Sequence, residues 1–163
     1  MGYIANASDE LVAKFRLQHG DILFSHINSE PQIGRAVVYT GQPEKLLHGM
    51  NLLRLRVDHQ KLLPQFLAYV FKQYREDGVF IGIASRAVGQ SSINQGRLKS
   101  LKVPLPTLHE QGSIVGALSA VQKATTARQD EKKLFEELYR VMLHDFMSMK
   151  LSASSFAVDG GYE

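Results

Sequence analysis

Two short polar segments of this 163-residue chain carry the side chains best suited to selective hydrogen bonding. Ser25, His26, Asn28 and Ser29, with Arg35 a few residues on, make up the first; Arg86, Gln90, Ser91 and Ser92 make up the second. Arginine, asparagine and glutamine each hold two hydrogen-bonding groups side by side, which matches a base edge in the major groove, whereas serine, lysine and backbone amides suit phosphate oxygens. Arg35 and Arg86 are the expected basic anchors. Beyond the second segment Asn94, Gln95, Arg97 and Lys99 can extend such a surface, and they suit equally well a packing role at the end of a domain. Little catalytic chemistry competes with this reading. No Gly-rich phosphate loop, nucleophile elbow or HExxH motif occurs. His19, His26, His48, His59, His109 and His144 are scattered without ligand spacing, and there is no cysteine. A disulfide framework and a thiolate zinc site are therefore excluded, and a self-contained enzyme is disfavoured.

The charge distribution supports an anionic partner. Residues 1–108 carry 13 Lys and Arg against 8 Asp and Glu, a net +5, while residues 109–163 carry 6 against 8, a net −2. Between Asp77 and Glu110 there is no acid at all, while Arg86, Arg97, Lys99 and Lys102 all fall there. A basic head followed by a charge-mixed helix fits nucleic-acid binding joined to protein interaction. No apolar run approaches the ~18 residues that span a bilayer, and Met1–Ala13 lacks the basic start and apolar centre of a signal peptide. A cytoplasmic protein without membrane contact is the economical expectation.

Short elements must position the polar segments. Ala7–Leu17 reads as a helix with Ser8 or Asp9 as its cap. Ile22–Phe24 and Arg35–Thr40 read as strands joined by a loop of ~8–10 residues, long enough to carry function. Met50–Val57 alternates, with Leu53, Leu55 and Val57 inward and Arg54 and Arg56 outward, the arginines either solvated or on phosphates. Pro64–Tyr74 is a predicted helix with proline in its first position, its Phe66, Leu67, Val70, Phe71 and Tyr74 serving as core rather than a base-stacking platform. Val79–Ile83 reads as a strand, Ala84–Ser92 as a polar loop, Ile93–Leu101 as a short helix or turn, and Val103–Pro106 as extended. The fold class is α+β: a small mixed sheet-and-helix domain over residues 1–108, a long helix over 109–150, and a frayed tail over 151–163.

From His109 to about Lys150 there is no proline, and no glycine follows Gly116. An ideal helix of ~42 residues is ~63 Å long. Steps of four and three give a heptad seam through Ile114, Leu118, Val121, Thr125, Arg128, Lys132, Phe135, Tyr139, Met142, Phe146 and Met149, with a shifted stripe through Leu134, Leu138 and Val141. Such a stripe exceeds what a head of this size can cover, so a partner helix is expected to meet Ile114, Leu118, Val121, Phe135, Leu138 and Met142.

Four pieces of the chain, in this order, carry a resemblance: GDILFSHIN (Gly20–Asn28), HGMNLLRLR (His48–Arg56), LPQFLAYVF (Leu63–Phe71) and GQSSINQGRLKSLKVPLPTLHEQ (Gly89–Gln111). Together they resemble the target-recognition domain of the DNA specificity subunits of type I restriction–modification systems, over about Ala7 to Lys150. The last piece resembles the junction from that domain into its spacer helix, with Pro-Leu-Pro followed by Glu-Gln. On this reading Gly89–Leu101 closes the head, Val103–Pro106 keeps the chain extended and His109–Gln111 starts the helix. The resemblance implies a non-catalytic subunit. In the family two recognition domains each read half of a split site in double-stranded DNA, held apart by antiparallel helices. They direct methyltransferase subunits, which use S-adenosylmethionine, and restriction subunits, which use ATP with Mg; no cofactor is implied on this chain itself. One recognition unit and one helix imply a half-subunit or fragment, truncated at its start relative to the family, that pairs as a homodimer on a palindromic, interrupted site. Thr107 stands where the family usually has a second consecutive proline, a change expected to soften the hinge. The alternative is an interaction module that captures a methyltransferase or another specificity subunit without reading DNA.

Overall fold

The computed structural model describes residues 8–148, apart from residues 45 and 88. Ala7, Met149, Lys150 and the expected tail over 151–163 lie outside the described residues. The chain divides into two compact units, one up to Gly116 and one from Ala117 onward.

In the first unit helix α1 (Asp9–Phe15) precedes a three-stranded antiparallel sheet. Strand β1 (Ile22–Ser25) lies at its centre, between β3 (Ala36–Val38) and β4 (Leu52–Leu55). Phe24 stands opposite Ala36 on one side and Leu53 on the other. The alternation in β4 turns Leu53 and Leu55 to the core, with Val57 beyond the strand packed there too. Helix α2 (Pro64–Glu76) begins on its proline, whose missing N–H is no loss in a first turn, and contributes Leu67 and Phe71. Phe24, Phe71 and Phe80 meet edge-on, with ring centroids 5.1 to 5.5 Å apart. Each such contact adds about 1 kcal/mol beyond burial alone. The helical aromatics are therefore core, as their spacing predicts.

The outward arginines Arg54 and Arg56 each have a partner within the first unit. Arg56 donates from Nε and Nη2 to the two carboxylate oxygens of Asp21 at 2.7 and 2.8 Å, and Arg54 donates to the Arg16 carbonyl at 2.9 Å. Asp21 is 1% exposed. Burial pushes its pKa up, but the Arg56 hydrogen bonds, the Gln18 amide and the charges of Arg56 and Arg54 outweigh burial and hold the carboxyl below its usual range. The pair thus clamps the start of β1 to the end of β4.

Two of the expected secondary-structure assignments are overturned. Val79–Ile83 is a helix, α3, not a strand. Gly78 adopts φ +75° after α2, and the chain turns back so that Phe80 enters the aromatic cluster. A short apolar run without clear alternation suits either element, and tertiary packing decided here. The second correction is Ala84–Ser92, which is not a loop: β5 (Ser85–Ala87) and β6 (Gln90–Ser92) form an antiparallel hairpin.

The segment after α4 (Gln95–Lys99) runs extended to α5 (Leu108–Met147), packing Leu101 and Val103 on the core. Thr107 does not soften this junction. It caps α5: its hydroxyl accepts from the Glu110 amide at 3.3 Å, and the Glu110 carboxylate accepts from the Thr107 amide at 2.9 Å and hydroxyl at 2.7 Å. This reciprocal capping box satisfies amides that a proline would lack or leave open. Those hydrogen bonds also hold the Glu110 carboxyl below its usual pKa.

Gln111, one position on, is fully buried at 0% exposure. Its Oε1 accepts from the Leu63 amide at 2.8 Å, and its Nε2 donates to the carbonyls of Lys61 at 2.9 Å and Pro106 at 2.8 Å. The first turn of α5 is thereby latched to the start of α2. From residue 120 to residue 141 every residue of α5 is exposed, including Val121, Leu134, Phe135, Leu138 and Tyr139.

Candidate nucleic-acid interface

The hairpin that replaces the expected loop turns at Gly89, whose φ of +75° suits a residue without Cβ. It does not stand alone. Strand β2 (Ile27–Asn28), which follows β1 after the single residue His26, pairs antiparallel with β6 and makes a second three-stranded sheet in the order β2-β6-β5. The two polar segments, far apart in sequence, therefore become one surface. Asn28, Ser91 and Arg86 stand opposite one another across the three strands, so their side chains leave the same face. Gln90 stands opposite Ala87 nearer the turn and, one residue from Ser91, projects from the other face.

The sheet is held from several sides. His26 joins it to the first sheet through its backbone, donating to the Asn51 carbonyl at 3.3 Å and accepting from the Ile93 amide at 2.8 Å. Its Nδ1 is buried without a hydrogen-bond partner among the described residues. Ile93 is wholly buried, which fixes the end of β6. Asn94 then caps α4 through an Oδ1 contact with the Arg97 amide at 2.8 Å.

The candidate side chains divide by exposure and by partner. Asn28, Ser29, Arg35, Arg86, Gln90 and Lys99 are exposed, and Ser92 is half-buried. Ser25 and Ser91 are corrected as contacts, because at 5% and 2% exposure neither reaches a groove. Ser25 instead accepts from Asn28 Nδ2 at 3.1 Å and so shapes the turn. Arg97 is exposed, and its Nη1 donates to the Ile83 carbonyl at 2.7 Å and to Ser85 Oγ at 3.2 Å, tying α4 to the base of β5. Arg86 pairs through Nε with Glu30 Oε1 at 2.8 Å. Glu30 was not among the residues expected at this surface. No local signal marks it, since only the long-range pairing of β2 with β6 brings it to the hairpin.

The model of the type I restriction modification DNA specificity domain matches residues 6–136. The chain belongs to that family. A protein named as the type I restriction enzyme MjaX specificity subunit, from Methanocaldococcus jannaschii, is 53% identical over 119 residues, which is 73% of this chain and 28% of that protein. The type I restriction enzyme StySPI specificity subunit of Salmonella potsdam is 30% identical over 129 residues, 78% of this chain and 27% of that protein. The chain thus spans little more than a quarter of the length of the curated relatives it matches. Within this specificity domain, no group of three or more His, Asp or Glu among the described residues is placed to hold a metal ion. No helix of the described residues is long and apolar enough to cross a membrane.

Proposed function

We propose that this chain is a sequence-reading component of a type I restriction–modification complex, and that it reads double-stranded DNA with the β2-β6-β5 sheet and its adjoining turns. One observation carries the proposal: the two polar segments unite in a single exposed sheet inside the specificity domain. Asn28 and Arg86, on one face of the sheet, are the groups suited to base edges, Gln90 can reach DNA only from the hairpin turn, and Ser29, Arg35 and Lys99 are those suited to phosphates. The chain contributes recognition and not catalysis. Methyltransferase and restriction subunits supply the chemistry, with S-adenosylmethionine and ATP with Mg bound on those partners. The test is duplex binding by the chain assembled with a type I methyltransferase subunit. Replacing Arg35 and Arg86 together by alanine should weaken binding at least tenfold and lower the log–log salt slope by about one unit, for the phosphate contact of Arg35. Unchanged binding would remove the assignment.

We also propose that α5 pairs with a second copy, so that two heads read a palindromic, interrupted site. The supporting observation is the exposed apolar series Val121, Leu134, Phe135, Leu138 and Tyr139. Val121→Asp with Phe135→Asp should convert a dimer into a monomer by light scattering while leaving the melting of the head unchanged. A wild type that is monomeric at high micromolar concentration would contradict the pairing.

A further inference from the structure

We infer that Glu30 is a positioning residue for Arg86. By holding the guanidinium at Nε, it aims the Nη1–Nη2 edge at one base pair and withholds Arg86 from non-specific phosphate contact. The inference rests on the proposed reading of the β2-β6-β5 sheet as the DNA-facing surface.

The pair is out of place as a stabilising device. Its side chains remain 48% and 66% exposed, and an ion pair so open to water adds little to folding. A carboxylate at a DNA-facing surface also repels phosphates. The chain carries no acid between Asp77 and Glu110, yet the fold brings Glu30 from another segment to the one arginine of the hairpin. That placement is useful only if the carboxylate acts on the arginine.

The backbone turn that carries Glu30 is well held. It is closed by the Gln32 and Ile33 amides, which donate to the Ser29 carbonyl at 2.9 and 3.0 Å. Asn28 Oδ1 accepts from the Ser29 amide at 2.9 Å, and Arg75 reaches the Pro31 carbonyl at 3.4 Å. Ile33, 1% exposed, anchors the far side of the turn in the core. A carboxylate on Nε leaves the terminal fork of a planar guanidinium unused, and that fork matches the O6 and N7 acceptors of guanine. An arginine without such a partner swings among rotamers and finds the nearest phosphate on any sequence.

The test selects duplexes from a randomised pool with the full chain assembled with a type I methyltransferase subunit. Wild type, E30Q, R86A and the double variant are compared, and binding to the selected and to a scrambled duplex is then measured across a salt series. E30Q should lose about tenfold in preference for the selected duplex, at the same base pair that R86A loses. Its salt slope on the scrambled duplex should steepen by about one unit as Arg86 is released to phosphate. Adding E30Q to R86A should change nothing further, and the melting midpoint of E30Q should match wild type. If R86A loses a base pair while E30Q keeps both the motif and the slope of wild type, DNA reading stands and the role of Glu30 falls. Loss at a different base pair also overturns it, by giving Glu30 a contact of its own. If no duplex is bound, or R86A and E30Q both leave binding unchanged, the underlying reading falls with it.

Discussion

Gln111→Leu should destabilise the first unit by about 3 kcal/mol while leaving the fold class intact. The side chain is fully buried, and the substitution keeps its volume but removes all three hydrogen bonds. The Leu63 amide and the Lys61 and Pro106 carbonyls then lose their partner. A buried polar group left open costs roughly 1–3 kcal/mol, and because these backbone groups are only part-buried and can regain some water, the total falls near the bottom of the summed range of about 3–9 kcal/mol. Only a carboxamide meets the demand, because it offers one acceptor and two donors at one chain end. Glutamate would place an anion against two carbonyls. Urea denaturation followed by near-ultraviolet circular dichroism, dominated by the packed aromatics of the first unit because Phe135 and Tyr139 of α5 are exposed, measures the effect. A variant as stable as wild type would mean that the latch is incidental.

The second large effect is expected at Gly34. Its φ is +78°, and a Cβ built there runs into the ring of Phe80, which is itself 0% exposed. Gly34→Ala therefore meets two penalties: roughly 1–2 kcal/mol for a left-handed conformation, and about 1–3 kcal/mol for overpacking a core that cannot yield. A loss of about 4 kcal/mol is a large share of the ~5–15 kcal/mol that holds a domain together. Phe80→Leu alone opens a gap, but combined with Gly34→Ala it should recover part of the loss, since it relieves the collision and not the backbone strain. A loss confined to a few tenths of a kcal/mol would contradict the packing described here. Gly34 also ends the turn that carries Glu30, and its amide donates to the Ser25 carbonyl at 2.9 Å. Stability and the recognition surface are thus tied at this residue.

The readable parts of the fold were those with local signals. The alternation of Leu53, Leu55 and Val57, the proline that opens α2 and the proline-free run from His109 each name an element through its own residues. Strands β5 and β6 had no such signal. SRA and QSS are short, polar and poor in β-branched residues, and they are strands because they pair with each other and with β2 far away in the chain. Helix α3 was misread for the related reason that Phe80 is placed by its aromatic neighbours.

The candidate site was legible in its residue types and not in its geometry. Serine suits phosphates by chemistry, but Ser25 and Ser91 are buried by the sheets that they belong to. Arg97 was equally suited to DNA and to packing, and its hydrogen bond to the Ile83 carbonyl is a contact that its residue type alone does not foretell. At the junction the Glu-Gln pair of the family motif acquires a physical meaning: Glu110 caps α5 and Gln111 latches it. Thr107 belongs to the same device, which reverses the expectation of a looser hinge.

The most direct test of the reading surface is photocrosslinking of the assembled complex to duplex DNA, with benzoylphenylalanine placed in turn at Asn28, Gln90 and Val37. Asn28 lies on the proposed face and Gln90 beside the hairpin turn that adjoins it, whereas Val37, 64% exposed, lies on the other sheet. The account predicts crosslinks to DNA from positions 28 and 90 and none from position 37. Crosslinks from position 37 with silence at both others, in a complex that holds its duplex, would contradict it.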